Sequence, residues 1–177
     1  MKLLKLLPYY FMLILCSCLT EQYMSVADGQ NKEVRFIDLQ NKTHSLKEYR
    51  GKVSFIIFYA SWCPSCVEEL RAFELYYRSF REQGLSVIPI AIQDTREQII
   101  SLKSKYNITL PLYLDLDNSV SKAFDIQEVP ATIVLGRDGK ILKIKDPLYG
   151  NITEKIIGPR DWSSLEARME LQRMFYK

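Results

Sequence analysis

The sequence predicts an α/β fold with a central mixed β-sheet, helices on its faces and an N-terminal β-hairpin that extends the sheet. Three observations lead to this prediction: strand-length apolar runs alternate with amphipathic helical patterns, a turn follows the first strand, and a hairpin signal with a last helix closes the chain. The 177 residues, of which 47% are hydrophobic, suffice for one domain with a single core and a short extension. We place this domain at residues 31–177.

The first half of the domain contains two predicted strands and one long helix. Residues Val34–Leu39 alternate like a half-buried strand, and residues 40–43 have the composition of a turn. Val53–Tyr59 is an uninterrupted apolar run, which is typical of a strand covered on both faces. After Cys66, apolar residues recur at steps of three and four, which predicts a helix ending near Gly84. These residues are Val67, Leu70, Phe73, Tyr77 and Phe80.

The second half continues the alternation of strands and helices. Leu85–Ile92 is a second apolar strand, although Pro89 inside it cannot donate to a sheet ladder. The Asp138-Gly139 pair is a turn signal between two predicted strands of a hairpin. The other predicted elements are, in order, helix Glu97–Tyr106, strand Leu112–Asp115, helix Ser119–Phe124, hairpin strands Ala131–Leu135 and Lys140–Lys145, and helix Ser163–Phe175.

The charge balance argues against nucleic-acid binding. There are 24 basic and 21 acidic residues, a net charge of +3, and loss of Lys2 and Lys5 with a leader peptide would leave +1. No run of basic residues concentrates this small surplus. We therefore expect no nucleic-acid partner.

Residues 1–17 have the composition of a secretory signal peptide. A basic start with Lys2 and Lys5 precedes the uncharged apolar segment 6–15. The segment is short for a membrane span, which needs about 20 residues, and Pro8 interrupts it. An uncleaved membrane anchor is the alternative interpretation.

The end of this segment resembles a bacterial lipobox, with Leu15 three residues before Cys18 and Ser17 directly before it. We expect diacylation at Cys18, because several acyl chains anchor a protein stably where one does not. Residues 18–30 would then be the lipidated cysteine and a polar tether. This predicts an extracytoplasmic protein on a bacterial membrane facing the periplasm. Leu19 in place of an Asp retention signal favours the outer membrane.

The segment W-C-P-S-C at residues 62–66 carries the predicted chemistry. It lies between a buried strand and the start of a helix, the context in which a C-x-x-C motif indicates redox activity. The helix N-terminus offers unpaired N–H groups and the positive end of the dipole, so the Cys63 thiolate is favoured and its pKa should fall below about 8.5. Cys63 is therefore the predicted nucleophile. Cys66, one turn further on, is the predicted resolving thiol.

Two structural interpretations compete with redox activity. A stable disulfide staple is one, but so short a loop restrains little of the unfolded chain. A zinc site is the other, but it needs four ligands, and His44 is the only histidine. We expect His44 to be a solvated surface residue and expect no metal.

Several segments together resemble the TlpA/ResA-type branch of the thioredoxin superfamily. The similarity spans about Val34 to Trp162. It is carried by residues 36–39 (FIDL), 45–52 (SLKEYRGK), 58–66 (FYASWCPSC), 112–117 (LYLDLD), 129–132 (VPAT), 139–141 (GKI) and 158–162 (GPRDW). The resemblance implies a thioredoxin-like three-layer fold.

The resemblance also implies a substrate-binding surface at Trp62, Val129 and Pro130. Pro130 would follow a cis peptide bond and pack against the cysteines. The backbone of Val129 would then be exposed beside Cys63 and could pair with an extended substrate segment. From the residues alone, Pro130 is equally compatible with an ordinary proline at the start of a strand.

Glu69, three residues after Cys66, matches a Glu of this branch that lies near the cysteines and accepts a proton. A solvated carboxylate in the first turns of the helix is the other interpretation. Three positions depart from the family pattern: Ile57 replaces a buried Asp or Asn, Ser65 replaces a Pro, and Arg71 replaces a helix-bending Pro. The redox potential therefore cannot be transferred from relatives.

The predicted function is a thiol:disulfide oxidoreductase whose only redox group is the Cys63–Cys66 disulfide, without a cofactor. The leading hypothesis is a reductase that takes electrons from a membrane thiol donor and reduces disulfides of extracytoplasmic proteins, including apocytochromes during haem attachment. An oxidase or isomerase is the first alternative, since related proteins span potentials from about −270 to about −120 mV. Peroxide reduction is less favoured, because Ala60 stands where peroxiredoxins carry Thr. A lipid-anchored binding domain without activity should have lost a cysteine, and both are present.

Overall fold

The structure is a computed structural model that describes residues 34–175. The strands are β1 (Arg35–Asp38), β2 (Thr43–Ser45), β3 (Val53–Tyr59), β4 (Leu85–Ala91), β5 (Tyr113–Leu114), β6 (Ala131–Leu135), β7 (Ile144–Lys145), β8 (Ile152–Thr153) and β9 (Ile156–Ile157). The helices are α1 (Pro64–Phe80), α2 (Arg96–Lys105), α3 (Ser119–Ala123) and α4 (Leu165–Phe175), and short 3₁₀ turns lie at Leu46–Tyr49 and Arg81–Gln83.

Seven strands form one mixed sheet in the order β2-β1-β5-β4-β3-β6-β9. Strand β4 is parallel to both β3 and β5, whereas β6 is antiparallel to β3 and β1 is antiparallel to β5. The N-terminal hairpin of β1 and β2 extends the sheet at one edge, as predicted. The predicted fold class, a thioredoxin-like three-layer fold, is therefore confirmed.

The two faces of the sheet bury separate apolar clusters. Alternate residues of β3, including Phe55, pack against α1 and α4 on one face. The intervening residues, including Phe58, pack towards the short helix α3 on the other. Because all seven residues of β3 are buried, the strand is an apolar run without alternation, as the sequence indicated.

Helix α1 is held at both ends. Pro64 lies in its first turn, where a missing N–H removes no helical hydrogen bond. Its last turn passes into a 3₁₀ turn that ends at Gly84, whose φ of +93° is a left-handed conformation favoured by glycine. Because α1 begins at Pro64, Cys63 and Cys66 lie at the junction between β3 and the helix.

The predicted hairpin turn is present, but the predicted strand at Lys140–Lys145 forms only in part. Ile141 forms only an isolated bridge to Leu135, after which the chain leaves the main sheet. Residues Ile144–Lys145 instead pair with β8 in a separate two-stranded sheet, and β9 occupies the edge beside β6. Strands β7, β8 and β9 have two residues each, too few for a period-two pattern to be recognised in the sequence.

Pro89 is accommodated because of where β4 meets its neighbours. It is opposite Ile57 of β3, and β5 pairs with β4 only from Ile90 onwards. On the β5 side, therefore, the missing N–H of Pro89 removes no ladder hydrogen bond. Within residues 34–175, no helix has the length and apolar composition required to cross a membrane.

Candidate active site

The two cysteines form a disulfide where β3 gives way to α1. The Cys63 and Cys66 sulfurs are 2.15 Å apart and the Cα atoms 5.3 Å apart. Cys63 is 7% exposed and Cys66 is fully buried. Of the two cysteines, only Cys63 retains any exposure to solvent, which favours its predicted role as nucleophile.

Cys63 is the N-cap residue of α1. Its sulfur accepts a hydrogen bond from the Cys66 N–H at 3.2 Å and lies 3.5 Å from the Ser65 hydroxyl. In the reduced protein the same N–H, together with the helix dipole, would stabilise negative charge on this sulfur. The position of Cys63 at the helix N-terminus is as expected from the sequence, and its lowered pKa stays a prediction.

Glu69 lies on α1, three residues after Cys66, and is only 3% exposed. The interpretation as a solvated carboxylate is therefore wrong for Glu69, whereas the adjacent Glu68 is exposed. Residues three apart on a helix are neighbours on one face, which brings this carboxylate to the buried side of the disulfide. Burial raises the pKa of Glu69 to about 7.

The surroundings of Glu69 come from the segment before α4. The backbone N–H of Arg160 donates to Glu69 Oε1 at 2.7 Å, and this bond and the Arg160 charge lower the carboxyl pKa against the effect of burial. The Trp162 indole lies close enough to contribute in the same direction, yet its Nε1 and Glu69 Oε2 are both buried without a hydrogen bond of normal geometry. One carboxylate oxygen therefore has a backbone hydrogen bond, whereas the other has only the nearby Trp162 indole as a possible donor.

The segment predicted to bind substrate precedes β6. The Val129–Pro130 peptide bond is cis, as the resemblance implied. Pro130 is buried and its carbonyl accepts the Gly158 N–H at 2.9 Å, while the Val129 side chain is half-buried against the core. Within residues 34–175 the Val129 backbone has no hydrogen-bond partner. Trp62, next to Cys63, is 62% exposed.

The Asp94 carboxylate, which holds the loop before the cysteines, was not predicted from the sequence. Asp94 accepts the Ser61 N–H at 2.7 Å and the Ser61 hydroxyl at 2.6 Å. These two bonds attach residue 61 to the loop that follows β4. Nothing in the local sequence pairs two residues so far apart, although Ser61 lies only two residues before Cys63.

His44 is not a solvated surface residue, contrary to the prediction. Its Nε2 lies 3.0 Å from Asp38 and its Nδ1 lies 3.0 Å from Glu48, and its side chain is only 12% exposed. Burial alone would lower the pKa of His44, but these two carboxylates raise it. The imidazole stabilises the β1–β2 hairpin. Among residues 34–175, no cluster of His, Cys, Asp or Glu could hold a metal.

The predicted signal peptide, Cys18 and the tether up to residue 30 lie outside the described residues. The same holds for the proposed domain start at residue 31.

A disulfide at the N-terminus of the helix that follows the central strand, beside a cis proline at the start of the neighbouring strand, characterises thioredoxin-like proteins. The chain belongs to the AhpC/TSA family, whose model matches residues 27–144.

Curated relatives and solved structures agree with this assignment. The thiol-disulfide oxidoreductase ResA of Bacillus subtilis (strain 168) is 27% identical over 120 residues, which are 68% of this chain and 65% of that protein. ResA of Halalkalibacterium halodurans is 27% identical over 135 residues, 75% of each chain. The crystal structure of StoA from Bacillus subtilis superposes with a TM-score of 0.59 at 19% identity, covering 80% of this chain and 98% of that one.

Proposed function

We propose that the protein is a thiol:disulfide oxidoreductase that reduces disulfides of extracytoplasmic proteins. The observation that carries this proposal is the Cys63–Cys66 disulfide at the N-terminus of α1, with Cys63 slightly exposed, Cys66 fully buried, and the Glu69 carboxylate on the same helix face. The names of the relatives support the same chemistry.

The first step is attack on a substrate disulfide by Cys63. With both cysteines reduced, the Cys63 thiolate forms a bond to one substrate sulfur, the substrate S–S bond breaks, and the second substrate sulfur leaves as a thiolate that takes up a proton. The Cys66 N–H and the helix N-terminus stabilise the thiolate before it attacks. The product is a mixed disulfide between Cys63 and the substrate.

The second step requires deprotonation of Cys66. Its thiol is fully buried, and Glu69, whose Oε2 has no hydrogen bond of normal geometry and whose pKa is raised to about 7 by burial, is the proton acceptor in this proposal. The Cys66 thiolate attacks the Cys63 sulfur, the mixed disulfide breaks, and the reduced substrate leaves. The protein is oxidised by two electrons, and a dithiol donor restores it by the reverse exchange.

The substrate backbone is proposed to lie along Val129, with Trp62 and Pro130 forming the walls beside Cys63. The unpartnered Val129 backbone can form hydrogen bonds to an extended peptide, as in strand addition. Trp62 offers a large exposed ring for the substrate side chains. A protein disulfide would thus be held before it reacts.

The location and the electron donor complete the proposal. The signal peptide at residues 1–17 would direct export, and Cys18 would carry the lipid that holds the domain on the periplasmic side of a bacterial membrane, with the outer membrane favoured. A membrane thiol protein would supply the electrons, and apocytochromes before haem attachment are candidate substrates. No cofactor is required, since the disulfide itself carries the electrons.

The proposal is tested by trapping the mixed disulfide. The full chain with Cys66→Ser retains the nucleophile but has no thiol to release the substrate, so disulfide-linked adducts should accumulate in cells quenched with acid and alkylated. Cys63→Ser/Cys66→Ser is the matched control and should give none. Parent chain found mainly with both cysteines alkylated indicates a reductase, whereas parent chain found mainly oxidised overturns that direction. Absence of adducts through Cys63 overturns the exchange activity itself.

A further inference from the structure

Arg160 and Asp146 form a buried ion pair next to the candidate active site. Arg160 Nε donates to Asp146 Oδ1 and Arg160 Nη2 donates to Asp146 Oδ2, both at 2.8 Å. The side chains are only 5% and 4% exposed. Breaking such a pair costs stability, but the pair itself need not stabilise a protein more than apolar residues would. A contribution to stability therefore does not by itself account for this pair.

The ion pair is directly connected to Glu69. The backbone N–H of Arg160 is the group that donates to Glu69 Oε1 at 2.7 Å. The segment around it is anchored on both sides: the Gly158 N–H bonds the Pro130 carbonyl at 2.9 Å, and Trp162 is 2% exposed in the core. Arg160 lies between these anchors, and its clamped side chain fixes the orientation of the N–H that points at the carboxylate.

The partners of Asp146 make it a rigid anchor. Besides both Arg160 bonds, Asp146 Oδ1 accepts the backbone N–H groups of Leu148 and Tyr149 at 2.8 and 3.2 Å. The ring of Tyr149 lies over the guanidinium, with 4.8 Å between the Arg160 Cζ and the ring centroid. The guanidinium is thus enclosed by the carboxylate on one side and an aromatic ring on another.

We propose that Arg160 is a positioning residue for Glu69, with Asp146 as its anchor: the ion pair holds the Arg160 N–H on one carboxylate oxygen and so leaves the other oxygen to accept the proton of the buried thiol. The inference rests on the proposed function of Glu69 as proton acceptor. It assigns to the segment before α4 a role in proton transfer, although that segment contains no reacting atom.

Loss of Arg160 should act on Glu69 in one direction. The guanidinium charge and the backbone N–H bond both lower the Glu69 pKa, against the larger effect of burial. Replacing Arg160 by Met removes the charge and loosens the N–H, so both changes make the carboxyl a weaker acid. We expect the Glu69 titration midpoint to rise by about one pH unit, a tenfold loss of acidity.

The experiment follows the Glu69 carboxyl carbon by ¹³C NMR in the oxidised protein, where neither active-site cysteine titrates. The parent should titrate near pH 7, and Arg160→Met should titrate higher. Arg160→Lys keeps the charge without the bidentate clamp and should lie between the two. Arg81→Met is the control, because it removes an arginine whose ion pair with Glu82 lies beyond the far end of α1, and its midpoint should equal that of the parent.

A double variant distinguishes an effect of Arg160 on the Glu69 titration midpoint from an effect on the free energy of unfolding. Arg160→Met alone leaves Asp146 buried without its partner and should be destabilised. Asp146→Asn/Arg160→Met contains no unpaired charge and should recover stability while keeping the raised midpoint. A double variant that recovers the parental midpoint together with stability overturns the positioning role.

Failure of the inference and failure of the proposed function give different results. If Glu69→Gln does not slow release of a Cys63 mixed disulfide at pH 8, Glu69 is not the proton acceptor and the proposed function loses that step. If Glu69→Gln slows release but Arg160→Met leaves the titration midpoint unchanged, only the positioning role is overturned.

Discussion

Glu69 is a carboxylate that the fold removes from water without pairing it fully. One oxygen accepts the Arg160 N–H, and the other is buried beside the Trp162 indole without a hydrogen bond of normal geometry. An ionised carboxylate in such surroundings is costly, which is why burial raises its pKa to about 7 from the ordinary value of 4.5. The residue is thus tuned to exchange a proton near neutral pH.

This tuning has a consequence for stability that Glu69→Gln should reveal. Between pH 4.5 and 7 the folded protein keeps the Glu69 proton while the unfolded chain has lost it, so the free energy of unfolding falls as pH rises through this window. Gln does not titrate. Relative to the parent, the variant should therefore gain about 3 kcal/mol between pH 4 and pH 8.

The measurement is urea unfolding of the oxidised parent and variant at closely spaced pH values. Glu68→Gln, at the exposed neighbouring position, is the control and should leave the pH dependence as it is in the parent. Parallel stability curves for parent and Glu69→Gln across pH 4–8 would contradict a raised Glu69 pKa.

The residues of the site differ in how far the sequence could predict them. Cys63 and Cys66 were predictable because the motif and its position before a helix are local. Glu69 was found only through resemblance, and its burial could not be deduced from the helix pattern. The Arg160–Asp146 pair was not predicted, since Asp146 lies in the connection between β7 and β8, a small sheet that the sequence does not indicate, and Arg160 lies beyond β9.

At the scale of elements, two glycine turns and one arginine join the end of the sheet opposite the disulfide. Gly51 and Gly84 have φ values of +85° and +93°, in the left-handed region. Arg137 Nη1 donates to the Gly51 carbonyl at 2.8 Å, and its Nη2 donates to the Gln83 carbonyl at 3.3 Å. The turn before β3, the turn after α1 and the turn after β6 are thereby linked.

Alanine substitutions at Gly51 and Gly84 should show separately the cost of the left-handed backbone and the contribution of the Arg137 hydrogen bonds. A Cβ on Gly51 meets no atom within 4 Å, whereas a Cβ on Gly84 would lie 2.8 Å from Arg137 Nη1. Gly51→Ala should therefore cost only the left-handed strain, about 1 kcal/mol. Gly84→Ala should cost more, because Arg137 must also move and lose its bonds.

Chemical unfolding of the two variants, alone and combined with Arg137→Ala, measures the difference. Without the Arg137 side chain, the penalty for Gly84→Ala should drop to that for Gly51→Ala. If the Gly84→Ala penalty is unchanged in the Arg137→Ala background, the arginine link contributes nothing at this turn.

The strands also differ in how well they could be predicted from the sequence. Strand β3 was predicted at its exact bounds, because seven consecutive buried residues produce a clear apolar run. Strands β8 and β9 were not predicted, because a two-residue strand depends on the neighbour that pairs with it rather than on its own composition. The segment 140–145 has β-type composition but leaves the sheet after one bridge.

At the scale of the whole molecule, the central sheet separates a face that contains the site from one that does not. Phe55 packs against Phe73 and Trp162, with ring centroids 5.3 and 6.0 Å apart, and Trp162 borders Glu69. Phe58, three residues further along β3, packs against Phe124 at 5.9 Å on the other face. Both phenylalanines are fully buried. They differ in their neighbours, because only Phe55 packs against Trp162, which borders Glu69.

Phe55→Leu and Phe58→Leu should therefore lose similar stability but differ at the site. Each shortens a buried ring and should cost about 1–3 kcal/mol in the free energy of unfolding. Only Phe55→Leu loosens Trp162 and lets water approach Glu69, and because burial is the main cause of the raised pKa, the Glu69 titration midpoint should fall towards 4.5 in that variant alone. Unfolding experiments and ¹³C titration of the oxidised proteins measure the two effects separately. Equal midpoint shifts in both variants would mean that the Glu69 environment depends on global stability rather than on the aromatic layer between β3 and α1.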